Sequence, residues 1–328
     1  MFQDSGLIDT KKLDRWIREQ GLKTDEELTF ERIQDGRSNE MFFVDCGEQE
    51  WVLRRPSGVA WEKTEKGLCR EFRLLDAIKD TGVPVPRAVV LCEDRSVLGT
   101  VFYLMEKIDG FTPAYNLPEE FVKTPELRQK MVRAPLKAAA ALHSLDWRDL
   151  GLEDFGKIDN FHERQVSRWA AQLESYQGRE LKGIKDIGSW LERNLPRQWT
   201  PTIMHGDYHA LNMMMAPGLP PKMAGIIDWE TSTIGDPFID VVGFLDIWFD
   251  TNKDYQWPDY ASLVDYYLSL VDYQPENFTY YQALYHYRMA VLLEGIYQRS
   301  FNDETREAQH AVGKRALIAV ERGLKAIY

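Results

Sequence analysis

The sequence predicts an α+β chain of two lobes, an antiparallel sheet with one main helix followed by a mainly helical half. Three observations predict it. Short strand-like runs, separated by turn residues, crowd the first third of the chain around one long helical pattern. From Pro118 onward the apolar residues recur mainly at helical spacing. The length of 328 residues is too great for one small core and suits two lobes of a single unit.

In chain order, Asp9 can cap a helix on which Leu13, Trp16 and Ile17 share a face, and Gly21 can end it. Strand-like runs follow at 29–33, 41–45 and 50–55, joined by residues 34–39 and by a turn at Gly47. The period of two puts Val52 and Arg54 on one face of the third run and Arg55 on the other. A helix is expected over 62–79, carrying Arg70-Glu71-Phe72-Arg73. Val83-Pro84-Val85-Pro86 is a stiff extended segment leading to a strand over 88–92. Residues 101–106 read as a buried strand, and Lys107-Ile108-Asp109-Gly110 as a connector that divides lobe 1–109 from lobe 110–328.

In the second lobe, helices are expected over 134–145, 161–176 and 180–194, the last two as an insertion over the cleft. Short strands are expected at 202–205, 211–215 and 223–228, with Met213-Met214-Met215 as core filler. Four more helical segments run over 239–250, 258–271, 275–300 and 305–326. Tyr, Trp and Phe are dense there, as suits a substrate-accepting wall.

Composition narrows the function classes. Hydrophobic content of 44% and charged content of 28% are those of a soluble globular protein. No apolar run approaches the roughly 20 residues that span a bilayer. The first twenty residues lack a secretory pattern, so a cytoplasmic protein is expected, with no membrane partner. The net charge of −12 argues against nucleic acid as a partner. The cysteines at 46, 69 and 92 are odd in number and widely spaced, so reduced thiols are expected rather than a disulfide framework or zinc site.

The chemistry concentrates in Met204-His205-Gly206-Asp207-Tyr208-His209-Ala210-Leu211-Asn212, followed by Ile226-Ile227-Asp228-Trp229-Glu230. The Asp-x-x-x-x-Asn spacing matches the catalytic loop of kinases, and Asp228 stands where a kinase keeps its metal aspartate. Such a set suits phosphoryl transfer from ATP. Asp207 would orient an acceptor hydroxyl and take its proton, while Asn212 and Asp228 would hold Mg2+ on the phosphates. His205 and His209 flank Asp207. A histidine pair beside carboxylates can also take zinc, but the Asn212 and Asp228 spacing favours magnesium.

These residues resemble the aminoglycoside phosphotransferase (APH)-like and choline-kinase-like small-molecule kinases, and the resemblance implies a protein-kinase-like two-lobe fold. It places the phosphate-binding cation at Arg54, where many kinases have lysine, with Arg55 as the competing candidate. Glu71 is then the helix carboxylate that pairs with Arg54, the plain alternative being a surface charge. Residues 34–39 take the place of a phosphate-covering loop; the single glycine there is no G-x-G-x-x-G match, and the resemblance makes Ser38 and Asn39 phosphate neighbours. The backbone from Glu106 to Ile108 becomes the hinge that meets the adenine edge. His143 reads as a structural histidine, His205 as a buttress of the catalytic loop, and Glu230 as a neighbour of the metal or of the loop backbone. Asp236 or Asp240, in Gly235-Asp236-Pro237-Phe238-Ile239-Asp240, would brace the loop.

The acceptor is a small molecule with a hydroxyl group. A polycationic aminoglycoside would want clustered carboxylates such as Asp246, Asp250, Asp254, Asp259 and Asp265, although solvated acids are the plainer reading. A second resemblance points to hydroxyacyl-CoA. Val52-Leu53-Arg54-Arg55-Pro56, Gly99-Thr100-Val101-Phe102-Tyr103 and Tyr287-Arg288-Met289-Ala290 are similar to the kinase-like domain fused to acyl-CoA dehydrogenases. Arg288 and Arg299 could then meet an acidic substrate or stand as surface arginines. The reading from a different class is a catalytically idle nucleotide-binding scaffold; the presence of Asp207, Asn212 and Asp228 together favours the enzyme. The choice of ATP over GTP and the oligomeric state are not legible in the sequence.

Overall fold

The polar start at Asp9 works as a cap: its carboxylate accepts the Lys12 N–H at 3.1 Å and opens helix Thr10–Glu19 (α1), in a computed structural model that describes residues 8–22, 27–33, 39–47, 49–57, 62–302 and 309–328. Strands Thr29–Ile33 (β1), Asn39–Asp45 (β2) and Glu50–Pro56 (β3) pair antiparallel in sequence order. Helix Glu62–Ile78 (α2) and strand Ala88–Cys92 (β4) follow, then a short turn of helix Arg95–Leu98 (α3) capped by Asp94, then strand Phe102–Glu106 (β5). The sheet order is β1-β2-β3-β5-β4.

The sheet is buried on both faces, which explains its even mix of apolar side chains. Phe42, Val44, Leu53, Phe102 and Leu104 meet Leu13, Trp16 and Ile17 of α1. Val52, Tyr103 and Met105 point the other way, onto Leu74, Leu75 and Ile78 of α2, in a core that continues into the helical half. Arg54 sits on this inner face, opposite Tyr103, and is therefore forced into the interior.

The second half begins with Glu119–Val122 (α4) and Pro125–His143 (α5), then Glu163–Ser175 (α6) and Ile184–Arg193 (α7). Two antiparallel ribbons carry the motif loops, Thr202–Met204 (β6) with Thr233–Gly235 (β9), and Met213–Met215 (β7) with Met223–Ile226 (β8). Helices Phe238–Thr251 (α8), Tyr260–Leu268 (α9), Phe278–Arg299 (α10) and His310–Ile327 (α11) complete it. The central helix is α10, which packs on α6, α7, α8 and α11.

Several expectations need refining. Leu211 and Asn212 lie in a 3-10 turn rather than a strand, because the loop must swing the Asn212 amide back onto Asp207. Met213 and Met215 are core, but Met214 is half-buried and faces the cleft. Helices α6 and α7 lean on α10 rather than forming a free cover, since their apolar faces need that partner. All three cysteines are free thiols, Cys46 and Cys92 buried. No helix among the described residues is long and apolar enough to cross a membrane.

The halves are joined by more than the connector. The Ile226 N–H donates to Pro84 O at 2.8 Å, and Arg70 of α2 donates to the carbonyls of Ser232, at 2.7 Å, and Phe155. Gly110 passes so close to the β7 ribbon that a Cβ there would stand 2.4 Å from the Met215 carbonyl oxygen.

Candidate active site

A cleft of about 580 Å³ opens between the sheet and the β7–β8 ribbon, lined on one side by Val52, Arg54 and Met105 and on the other by Met214, Asn212 and Asp228. Its charged end is built around Arg54. The Nε lies 3.3 Å from Glu71 Oε2, and Nη2 lies 3.0 Å from Asp228 Oδ1 and 3.3 Å from Glu230 Oε2. The Asn39 amide stands beside the same guanidinium; with its oxygen turned inward it accepts from Nη2 at 2.9 Å. Arg55 faces the other way and pairs with Glu40. The alternation along β3 thus decides between the two arginines.

Burial and charge pull in opposite directions here. Arg54 and Glu71 are each below 5% exposed. Burial disfavours the Arg54 charge, but Glu71, Tyr103 and Asp228 outweigh it and hold the guanidinium protonated. Burial dominates at Glu71 and pushes its carboxyl up to about 7 despite Arg54. A buried pair of this kind is costly to desolvate and cannot lose one member cheaply.

The loop that carries Asp207 is held from behind. Asp240, at the start of α8, accepts the His205 N–H at 2.6 Å and the Gly206 N–H at 2.9 Å. Asp236 does different work, accepting from Tyr281 and meeting His162, so of the two candidates Asp240 is the brace. His205 is fully buried; its Nε2–H donates to Ile227 O at 3.0 Å and its Nδ1 accepts the Asp207 N–H. Burial lowers its pKa, so the ring is a neutral spacer between the two motif loops. Gly206 has φ +84°, and a Cβ there would meet the Thr231 carbonyl oxygen at 2.6 Å, so the position accepts only glycine.

Asp207 itself reaches a second, smaller pocket of about 30 Å³ shared with Tyr285, Arg288, Met289 and Leu292 of α10. His209 Nε2 lies 3.2 Å from one of its oxygens, and Asn212 Nδ2 donates to the other at 3.2 Å. Burial works against its charge, but the His209 hydrogen bond and the nearby cations prevail and hold the carboxyl down at about 2. Asn212 O accepts the Ile227 N–H at 2.9 Å, which brings Asn212 beside Asp228. Asp228 has φ +67°, a left-handed conformation that aspartate tolerates but most residues avoid.

At the far end, Glu106 N–H and Lys107 N–H are engaged by the carbonyls of Arg87 and Glu50, which leaves the Ile108 N–H with no acceptor among the described residues. Ser38 lies outside the described residues. His143 is structural, buried between Tyr267 and Asp240. The contact of Glu230 with Arg54 was not legible beyond its spacing of two from Asp228. Arg288 lies at the catalytic loop, whereas Arg299 is exposed at the far end of α10. The candidate acids are engaged: Asp246 and Asp250 line one pocket, where Asp246 meets His286 and Asp250 pairs with Arg322, and Asp259 caps α9.

A sequence profile described as the phosphotransferase enzyme family, APH, matches residues 29–268. A relative in mouse, acyl-CoA dehydrogenase family member 10, is 32% identical over 292 residues; these cover 84% of this chain but only 27% of the relative. A crystal structure of a provisionally named aminoglycoside phosphotransferase from Ralstonia eutropha superposes with a TM-score of 0.82 and 28% identity, over 97% of this chain and 98% of the other. An ADP-bound aminoglycoside phosphotransferase, APH(2'')-Ib, shares the fold at a TM-score of 0.54 and 17% identity, over 97% and 99% of the two chains. The architecture is thus the protein-kinase-like two-lobe fold, and the chain belongs to the APH phosphotransferase family of small-molecule kinases.

Proposed function

We propose that the protein transfers the γ-phosphate of ATP to a hydroxyl of a small molecule, with a hydroxyacyl-CoA or related hydroxy acid as acceptor. The observation that carries the reading is the braced loop, which fixes an ionised Asp207 against Asn212, whose carbonyl in turn meets Ile227, the residue before Asp228. In the transfer, the acceptor oxygen forms a bond to the γ-phosphorus, the bond to the β–γ bridging oxygen breaks, ADP leaves, and the hydroxyl proton passes to Asp207. A carboxyl at about 2 is a weak base, so its main contribution is to orient the hydroxyl in a loose transition state.

Arg54, held by Glu71, would meet the α- and β-phosphates, with Asn39 and Ser38 beside them. The Glu106 carbonyl and the free Ile108 N–H would meet the adenine edge. The residues also fit magnesium. Asn212 keeps its amide oxygen free, because its nitrogen is the atom turned to Asp207, and Asp228 offers a hard carboxylate at the cleft. Mg2+ takes most of its ligands from phosphate and water and needs only one or two such groups. When bound between Asn212 and Asp228 it would supply positive charge that screens the phosphates. The division at residues 1–109 and 110–328 then separates a nucleotide lobe from a catalytic and acceptor lobe.

The dehydrogenase-named relatives support the acyl acceptor, as does the pairing of Asp246 and Asp250, which leaves no free acidic cluster there for a polycation. The test is magnesium-dependent ATP consumption with mass analysis of the acceptor, across hydroxyacyl-CoAs, free hydroxy acids and aminoglycosides. A phosphorylated hydroxyacyl-CoA that requires Asp207 is expected. A phosphorylated aminoglycoside in its place would refute the acceptor, and nucleotide binding without any product would favour an idle scaffold.

A further inference from the structure

Two groups beside Asp207 are left short of partners among the described residues, His209 at its buried Nδ1 and Arg288, and of the two Arg288 carries the fixed charge. Its Nη2 makes one long contact, 3.4 Å to Gly206 O, and its buried Nε has no hydrogen-bond partner among the described residues. It is half-buried on the face of α10 that also presents Tyr285, Met289 and Leu292 to the catalytic pocket. The Trp169 ring of α6 lies over the guanidinium at 5.4 Å, and the Arg168 guanidinium sits 5.2 Å from that same ring.

An arginine placed only to neutralise Asp207 would be hydrogen-bonded to it. No hydrogen bond joins them: the two Asp207 oxygens go to His209 and Asn212. A buried donor such as the Arg288 Nε–H is costly to leave unused unless something else completes it. What it can accept is narrow, because guanidinium has five donors and no acceptor. Its partner must be an oxygen with lone pairs, and the oxygens an acceptor can carry beside its reacting hydroxyl that fit best are carbonyl and carboxylate; a transferred phosphoryl group is the rival partner, which the KM for ATP distinguishes. The pocket wall also holds Ile239, Met289 and Leu292, which can flank a short hydrocarbon link between that oxygen and the hydroxyl, while Tyr208, His209, Gly243 and Tyr285 complete it. An ammonium group would instead face Arg288 at short range in a poorly solvated pocket.

We propose that Arg288 selects the acceptor by binding a carbonyl or carboxylate oxygen close to the hydroxyl that is phosphorylated, and that it excludes polycationic acceptors. The proposal rests on the phosphotransfer reading above and adds the group that reads the substrate. Arg288 is a specificity residue in this account, and the chemistry stays with Asp207.

The test compares hydroxyhexanoyl-CoA isomers with hexanediols, in the intact protein and in Arg288→Gln and Arg288→Lys. For the acyl acceptors, Arg288→Gln is expected to lower kcat/KM about 10- to 100-fold, mostly through KM, the size of one lost charged hydrogen bond. Turnover of the diols should fall much less, the KM for ATP should hold, and Arg288→Lys should recover part of the loss. A structural role would lower both acceptor classes together, and that result overturns the selection while leaving phosphotransfer standing. A second measurement needs no variant: hexanoyl-CoA, which lacks the hydroxyl, should inhibit the intact protein competitively against the acceptor, and hexanol should not. Equal inhibition by the two would also overturn the proposal. If the intact protein phosphorylates neither class, phosphotransfer to such acceptors fails, and the selection fails with it.

Discussion

The two sides of the cleft are built on opposite plans. On the nucleotide side, Arg54 is shared among three carboxylates, Glu71, Asp228 and Glu230, drawn from a helix and a loop far apart in the chain. In the proposed function, nucleotide entry exchanges the Asp228 and Glu230 contacts for phosphate and leaves Glu71 holding Arg54. On the acceptor side the loop is already fixed. Asp240 anchors its backbone, His205 spaces it from Ile227, and Asp207 is placed by His209 and Asn212. The lesson is that ion pairs able to change partners suit a mobile, multiply charged ligand, whereas a reacting group needs a rigid mount.

The strongest way to break this contrast is Asp207→Ala. Turnover should fall by about 10²- to 10⁴-fold, with nucleotide affinity close to that of the intact protein and Tm somewhat lowered by the lost His209 and Asn212 contacts. Unchanged phosphate transfer would refute the mount as catalytic. Its depressed pKa has a sign consequence. The charge of Asp207 favours the fold above the ordinary aspartate range and loses that effect only as pH falls towards about 2. The acidic limb of the pH–rate profile should therefore lie elsewhere, and Asp207→Ala should leave the position of that limb in place.

Asp240→Asn probes the mount itself. It removes the charge behind two short backbone hydrogen bonds and weakens the contact with His143. A stability loss of about 1.5–3 kcal/mol per charged hydrogen bond is expected, read by denaturant unfolding, together with a fall in kcat at unchanged ATP KM.

Glu71→Gln sharpens the nucleotide side. The binding constant for ATP should weaken by about tenfold through a less firmly held Arg54. Because the folded-state pKa of Glu71 is raised to about 7, the native protein holds this proton where the unfolded chain has released it. Stability should therefore decline as pH rises from the ordinary glutamate range through about 7, and the Gln variant should flatten that slope. An unaltered Tm–pH curve would refute the assignment. The smallest effect is reserved for Asp250→Ala, which breaks a half-exposed pair with Arg322. It should cost under about 1 kcal/mol and leave acceptor kinetics alone; a specific loss of polycation turnover would reopen the aminoglycoside reading.

The sequence by itself determined the order of the elements and singled out the candidate loop residues. Period-two alternation put Arg54 inward and Arg55 outward, and Asp9 and Gly21 marked the ends of α1, because these signals act within a few residues. The spacing of Asp207, Asn212 and Asp228 was legible because loop chemistry demands fixed residue types at fixed intervals. The tertiary structure decided what depends on approach between distant segments. It chose Asp240 over Asp236 as the brace, turned Leu211 and Asn212 into a 3-10 turn, and gave Glu230 to Arg54. It also separated Arg288 from Arg299, two arginines on one helix that local sequence cannot rank. A helix pattern tells which face is apolar, but only packing against α6, α8 and α11 tells which polar group on that face lines the pocket of Asp207.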